Sequence, residues 1–216
     1  MGHHSILLIA SNTIPRIDNV DEEVEELYQW LTKVLSPNHF EVKYLPTAEA
    51  SYETVMKHLR GCKYHILHYA GHGHHDENNS ANSCLYFWEE KNHKGTVHPL
   101  SVNTLKNTLL IKEHSLRFIY LSCCSSSASS DVRTLLNDNF LGMADGLIMA
   151  GIPSVLGFRW SVSDRGAKEC ALAFYKSLFD QGYLDTALFN ARCWVKGIVQ
   201  GQDIGDWLSP ILIVQG

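Results

Sequence analysis

Two segments of the 216-residue chain gather residue types that do chemistry: Tyr69-Ala70-Gly71-His72-Gly73-His74 and Leu121-Ser122-Cys123-Cys124. A thiol attacks as its thiolate, so it needs a base beside it. An imidazole titrating near neutrality is such a base, and it can later protonate a leaving amine. Cys124 with His72 meets that requirement. A carbonyl under attack also needs donors for the developing oxyanion. The backbone amides of Gly73, which has no side chain in the way, and of Cys124 are the candidate pair. Cys123 is the competing nucleophile, but strand alternation turns neighbouring residues to opposite faces, and this gives Cys123 a packing role.

A metal-dependent hydrolase is the rival chemistry, because His72, His74, His75 and Asp76 offer nitrogen and oxygen ligands within five residues. The His-Gly-His-His-Asp order departs from common zinc spacings and no second Cys-His set follows, so neither a metal nor another cofactor is expected. A dinucleotide site fits worse. Gly71-x-Gly73 is followed by Asp76 where a third glycine belongs, and an acidic side chain there repels pyrophosphate. A third class is a catalytically silent scaffold that only binds partners, against which the Cys and His argue.

Such a pair is only useful if the surrounding elements bring it together. Ser5 to Ala10 is a short Ile/Leu-rich run ended by Ser11-Asn12 and reads as a buried strand. Val24, Leu27, Leu31 and Val34 recur at spacings of three and four, predicting a helix from Asp21, with Asp21, Glu22 and Glu23 favourable to its positive end. Phe40 to Leu45 is a second strand stopped by Pro46, Ser51 caps a helix through Leu59, and His65 to Tyr69 is a third strand whose His65 and His68 read as core or interface histidines rather than ligands. The composition of Gly71 to Ser83 predicts a loop, and a small hairpin insertion is expected around 83–98. A helix over Ser101 to Ile111 precedes a strand over Leu116 to Leu121, which runs into a serine-rich tract ending near Asp131. Helices over Phe140 to Ala150, Ala167 to Leu178 and Leu184 to Ile198, and strands over Ser154 to Phe158 and Ile211 to Val214, complete the pattern.

Helices separate nearly all consecutive strands, which predicts an α/β chain folded as a three-layer α/β/α sandwich around a mostly parallel sheet. Functional groups in such sheets collect beyond the carboxyl ends of the strands, and that rule selects the segments opening at His72 and Cys124. Parallel neighbours lie about 4.8 Å apart, so a His leaving one strand can meet a Cys leaving the next.

Composition narrows the partners. Hydrophobic residues at 45% and charged ones at 19% are those of a folded domain, and the length suits a single domain over 1–216. Lys+Arg of 18 against Asp+Glu of 23 leaves a net charge of -5 without same-sign blocks, so no footprint for nucleic acid or an anionic membrane is present. The early apolar run Ile6 to Ala10 is too short for a signal peptide or a bilayer span, and a soluble, cytoplasmic protein is expected. Six cysteines without a C-x-x-C spacing are expected to be thiols.

Tyr69-Ala70-Gly71-His72-Gly73-His74 resembles the His-Gly motif of CHAT domains, and Leu121-Ser122-Cys123-Cys124 resembles their Leu-Ser-Ala-Cys motif. Ala150-Gly151-Ile152-Pro153-Ser154-Val155 and Trp160-Ser161-Val162-Ser163-Asp164 are similar to the corresponding segment of CHAT domains and separases. The 52-residue separation of His72 and Cys124 is also close to that in caspases. The resemblance implies a caspase-like fold and a cysteine endopeptidase with His72 and Cys124 as its dyad and the Gly73 and Cys124 amides as oxyanion donors. Asp164 matches the separase aspartate that faces an arginine before the scissile bond, which implies a basic P1 preference. From residue type alone, Asp164 also reads as a helix N-cap before Ala167. CHAT domains often sit beside TPR or sensor domains in bacterial signalling and defence proteins, including CRISPR-associated ones. A protein or peptide substrate and a regulatory domain or partner are therefore implied.

Overall fold

A computed structural model describes residues 3–74, 76, 79–110, 114–125, 139–160, 162–198 and 205–216, with the description of 80, 93, 94, 124, 125 and 139–142 confined to the backbone. The strands are β1 (His4–Ser11), β2 (Phe40–Leu45), β3 (Ile66–His74), β4 (Cys84–Glu90), β5 (Lys94–Ser101), β6 (Phe118–Ser125), β7 (Ser154–Phe158) and β8 (Pro210–Val214). The helices are α1 (Val20–Val34), α2 (Tyr52–Arg60), α3 (Val102–Leu110), α4 (Asn139–Met149), α5 (Asp164–Gln181) and α6 (Leu184–Ile198). The sheet runs β2-β1-β3-β6-β7-β8. Its first five strands are parallel and β8 is antiparallel.

Both faces of the sheet are covered, which is why β1 reads as an uninterrupted apolar run rather than an alternating one. Leu7, Leu67 and Ile119 pack with Val55, Leu105 and Leu147 of α2, α3 and α4. Ile6, Leu8 and Tyr120 pack on the other side with Leu27, Phe174 and Ala191 of α1, α5 and α6. The predicted α/β/α sandwich is the observed fold. The predicted Ser51 cap is also present, its hydroxyl accepting from the Thr54 amide at 3.4 Å.

β4 and β5 pair antiparallel, and β4 is attached to the end of β3. Here the structure corrects the expectation of a loop from Gly71. β3 continues to His74 and β6 to Ser125, so the two motifs lie on strand ends rather than beyond them. Gly and His are poor strand formers, but pairing decides the matter. β1 accompanies β3 as far as Gly71, opposite Ser11, and β4 then takes its place against Gly73 and His74. Gly71 is required by this close approach, because a Cβ there would lie 2.4 Å from the Ser11 carbonyl oxygen and 2.7 Å from the Tyr69 hydroxyl. Ile111 and the serine tract from Ser126 lie outside the described residues.

Candidate active site

Four segments converge at the carboxyl edge of the parallel strands: the β1–α1 loop, the ends of β3 and β6, and the β7–α5 connection. The register of β3 on β6 is continuous from Ile66↔Phe118 to Gly73↔Ser125 and sets His72 directly opposite Cys124. Opposed residues of parallel strands share a face. Positions 72 and 124 therefore fall on the face of Ala70 and Tyr120, the one covered by α1 and α5. Cys123 alternates to the other face and packs against the α2–α4 core.

His72 is buried, with 6% of its surface exposed. Its Nε2 bonds the Pro15 carbonyl. A carbonyl only accepts, so Nε2 carries the hydrogen and the neutral ring keeps its lone pair on Nδ1. The His72 backbone is held as well. The Tyr69 hydroxyl donates to the His72 carbonyl at 2.7 Å and lies 3.0 Å from that of Tyr86. Complete burial raises the Tyr69 pKa well above its ordinary value, so this group remains a donor. Gly73 lies between β4 and β6, and a Cβ on it would meet Cys123 Sγ at 3.0 Å.

Beneath this pair the sheet buries a carboxylate. Glu23 of α1, only 2% exposed, accepts from His68 Nε2 at 3.0 Å and from the Ser122 hydroxyl at 2.9 Å. His68 Nδ1 has no hydrogen-bond partner among the described residues. The early acidic run of α1 thus does more than favour the helix start: Glu23 ties α1 to β3 and β6.

Asp18, Glu23 and Asp164 line one small cavity of about 20 Å³ together with Gly71, Ser122 and Cys123. Burial raises the Asp164 pKa, the negative charges of Asp18 and Glu23 add to the shift, and a bond from the Asp18 amide and the nearby His72 oppose it. Asp164 is not the cap of α5. Ser163 caps the helix by accepting from the Gly166 amide at 3.0 Å, and Asp206 in turn accepts from the Ser163 amide at 3.1 Å. Asp164 is the first helical residue, and its carboxylate belongs to the cavity.

Among the described residues, no group of three or more His, Cys, Asp or Glu is arranged to hold a metal ion. His74 is exposed at the end of β3, and His75 lies outside the described residues. No described helix is long and apolar enough to cross a membrane. Pro15, Asp18 and Glu23 were not legible as site residues. Their spacing to His72 in sequence carries no motif, and only the packing of the β1–α1 loop and of α1 on the sheet brings them in.

The fold is a caspase-like α/β one, with a buried imidazole opposite a cysteine position at the carboxyl edge of its covered parallel sheet. The comparisons agree with this class. Residues 4–214 match the CHAT domain, and the chain belongs to that family. No curated protein matches it. Two crystal structures of the Saccharomyces cerevisiae separase–securin complex superpose with TM-scores of 0.54 and 0.53, each at 12% identity, covering 99% and 98% of this chain. This chain spans only 12% of the length of the separase chain it matches. Protein GSU0716 from Geobacter sulfurreducens superposes with a TM-score of 0.52 at 11% identity, covering 100% of this chain and 94% of that one. These likenesses establish a shared fold.

Proposed function

We propose that the chain acts as a single-domain cysteine endopeptidase. His72 Nδ1 takes the Cys124 thiol proton, and the sulfur attacks a peptide carbonyl. The oxyanion is met by the Gly73 and Cys124 amides, and the imidazolium returns its proton to the departing amine, leaving a thioester. Water, deprotonated by the same nitrogen, then releases the acid and frees the thiol. The observation that carries this reading is the opposed register of His72 and Cys124, with Nε2 committed to the Pro15 carbonyl.

A cationic side chain at P1 suits the acidic surroundings of Asp164, and the cavity there, at about 20 Å³ the size of a water, would have to open to admit it. Asp18 and Glu23 add to the burial that raises the Asp164 pKa, and a substrate guanidinium or ammonium would relieve that cost. Asp164 is the residue assigned to that contact. The family supports a cytoplasmic protease module of a bacterial signalling or defence protein, of the CRISPR-associated kind, governed by a sensor or TPR-type domain or partner. The yeast neighbour was solved in complex with a second protein, securin, which supports a protein partner.

The deciding experiment is turnover of a peptide panel varied at P1, with iodoacetamide and a chelator as separate inhibitors. Cleavage after Arg or Lys that is thiol-sensitive and chelator-insensitive is expected. Cys124→Ala should abolish it, a loss of at least about 10⁴-fold, as when a nucleophile is removed, while Cys123→Ala retains turnover. Chelator sensitivity would instead favour a metal hydrolase, and absence of turnover with every peptide an interaction scaffold.

A further inference from the structure

We propose that Asn12 is a positioning residue for His72: its side-chain amide closes the β1–α1 loop so that the Pro15 carbonyl meets Nε2 and selects the tautomer with its lone pair on Nδ1. Asn12 directly follows β1 and is 6% exposed. Its Oδ1 accepts from the Ile17 amide at 2.9 Å, and its Nδ2 donates to the Ile17 carbonyl at 2.9 Å and to Asp21 Oδ2 at 3.0 Å. One amide thus grips both backbone groups of a residue five positions on, and Pro15 lies inside the closed turn.

The clamp is tied to two further elements. Asp21 stands in the first turn of α1, and its other oxygen accepts from the Thr47 hydroxyl. Thr47, in the β2–α2 connection, accepts in turn from the Asn12 backbone N–H at 3.2 Å. The partners also fix which side chain fits. Both Nδ2 hydrogens face acceptors and Oδ1 faces a donor, so an aspartate would set a carboxylate against the Ile17 carbonyl and the Asp21 carboxylate. Alanine would leave the Ile17 amide and carbonyl without the groups that close the turn.

The consequence reaches the imidazole through one bond. A ring nitrogen is committed as donor by the acceptor it faces, and the other nitrogen is left for proton transfer. If the turn opens, the Pro15 carbonyl is displaced, the ring loses its tautomer preference, and Nδ1 is no longer the sole basic atom.

The proposal rests on the peptidase reading for its kinetic readout but not for its spectroscopic one. In the full chain carrying Cys124→Ala, the ¹⁵N chemical shifts of the His72 ring at a pH where it is neutral are expected to report a hydrogen on Nε2. Adding Asn12→Ala should convert this to a mixture of tautomers or to the Nδ1–H form. Asn12→Ser, which keeps a polar group facing the turn, replaces the alanine variant if that one fails to fold. With Cys124 intact, the same substitution should lower kcat by about 10- to 100-fold, the size of a small misplacement of a reacting group, with KM little changed. Unchanged ring shifts in a folded Asn12 variant overturn the proposal, whatever its thermal stability. If the parent cleaves no peptide, the peptidase reading fails while the ring shifts still decide the role of Asn12.

Discussion

Gly73→Ala tests the packing behind the candidate site. A Cβ at position 73 would lie 3.0 Å from Cys123 Sγ and 3.3 Å from Cys123 Cβ. The sulfur can move by rotating about one bond, whereas the Cβ moves only with the β6 backbone, which is paired with β3. Cys123 is moreover packed against the α2–α4 core, so the sulfur has little space to enter. Overpacking of this kind costs about 1–3 kcal/mol. For a chain of this length each kcal/mol corresponds to roughly 2–4 °C in Tm. The assay is urea unfolding of Gly73→Ala, Cys123→Ala and the double variant. Removing the sulfur relieves the closer of the two contacts, so the double variant is expected to be more stable than the sum of the single losses by about 1 kcal/mol. Additivity to within about 0.5 kcal/mol, the behaviour of sites that do not touch, would refute the clash as the reason for glycine at 73.

Other outcomes follow from the site. Asp164→Asn should lower kcat/KM for Arg and Lys at P1 by about 10- to 100-fold, the worth of one charge-assisted hydrogen bond, and leave neutral P1 residues unaffected. Equal loss on all peptides would assign Asp164 a structural role. Because its pKa is raised by burial first and by Asp18 and Glu23 next, the carboxyl takes up its proton at a higher pH than an ordinary aspartate. The preference for Arg over Gln at P1 should therefore decline as pH falls through that raised value, and a preference that stays constant down to the ordinary aspartate range would contradict this. Glu23→Ala strips the acceptor from His68 and Ser122 in the core and should cost about 1–3 kcal/mol for each donor left unmet in urea unfolding, with Glu23→Gln costing less because the shape is kept. A loss below about 1 kcal/mol for the alanine variant would show that the two donors find other partners.

The strand and helix periodicities, the Ser51 cap and the alternation that separates Cys123 from Cys124 are local properties, and they were legible because each rests on spacing within one segment. Short apolar runs between amphipathic stretches were enough to define a parallel sheet covered on both faces, and the His72 and Cys124 motifs stood out by residue type. The length of β3 and β6 was not legible. Gly71-His72-Gly73-His74 has the composition of a loop, and only β4, arriving from further along the chain, holds it as a strand. Asp164 looked like a cap because Asp is a good one, but the cap is Ser163, whose hydroxyl bonds the Gly166 amide. Glu23 looked like one of three acids at a helix start, yet α1 rotates it into the core to meet His68 and Ser122.

Sequence by itself determined which elements form, which faces are apolar, and that an imidazole and a thiol lie at strand ends, because all of these depend on neighbours a few positions away. Tertiary structure decided that residues 72 and 124 stand in register, that a carbonyl from residue 15 chooses the imidazole tautomer, and that carboxylates from α1, α5 and the loop before α1 share a cavity. Those are relations between segments far apart along the chain, and they exist only once the layers have packed.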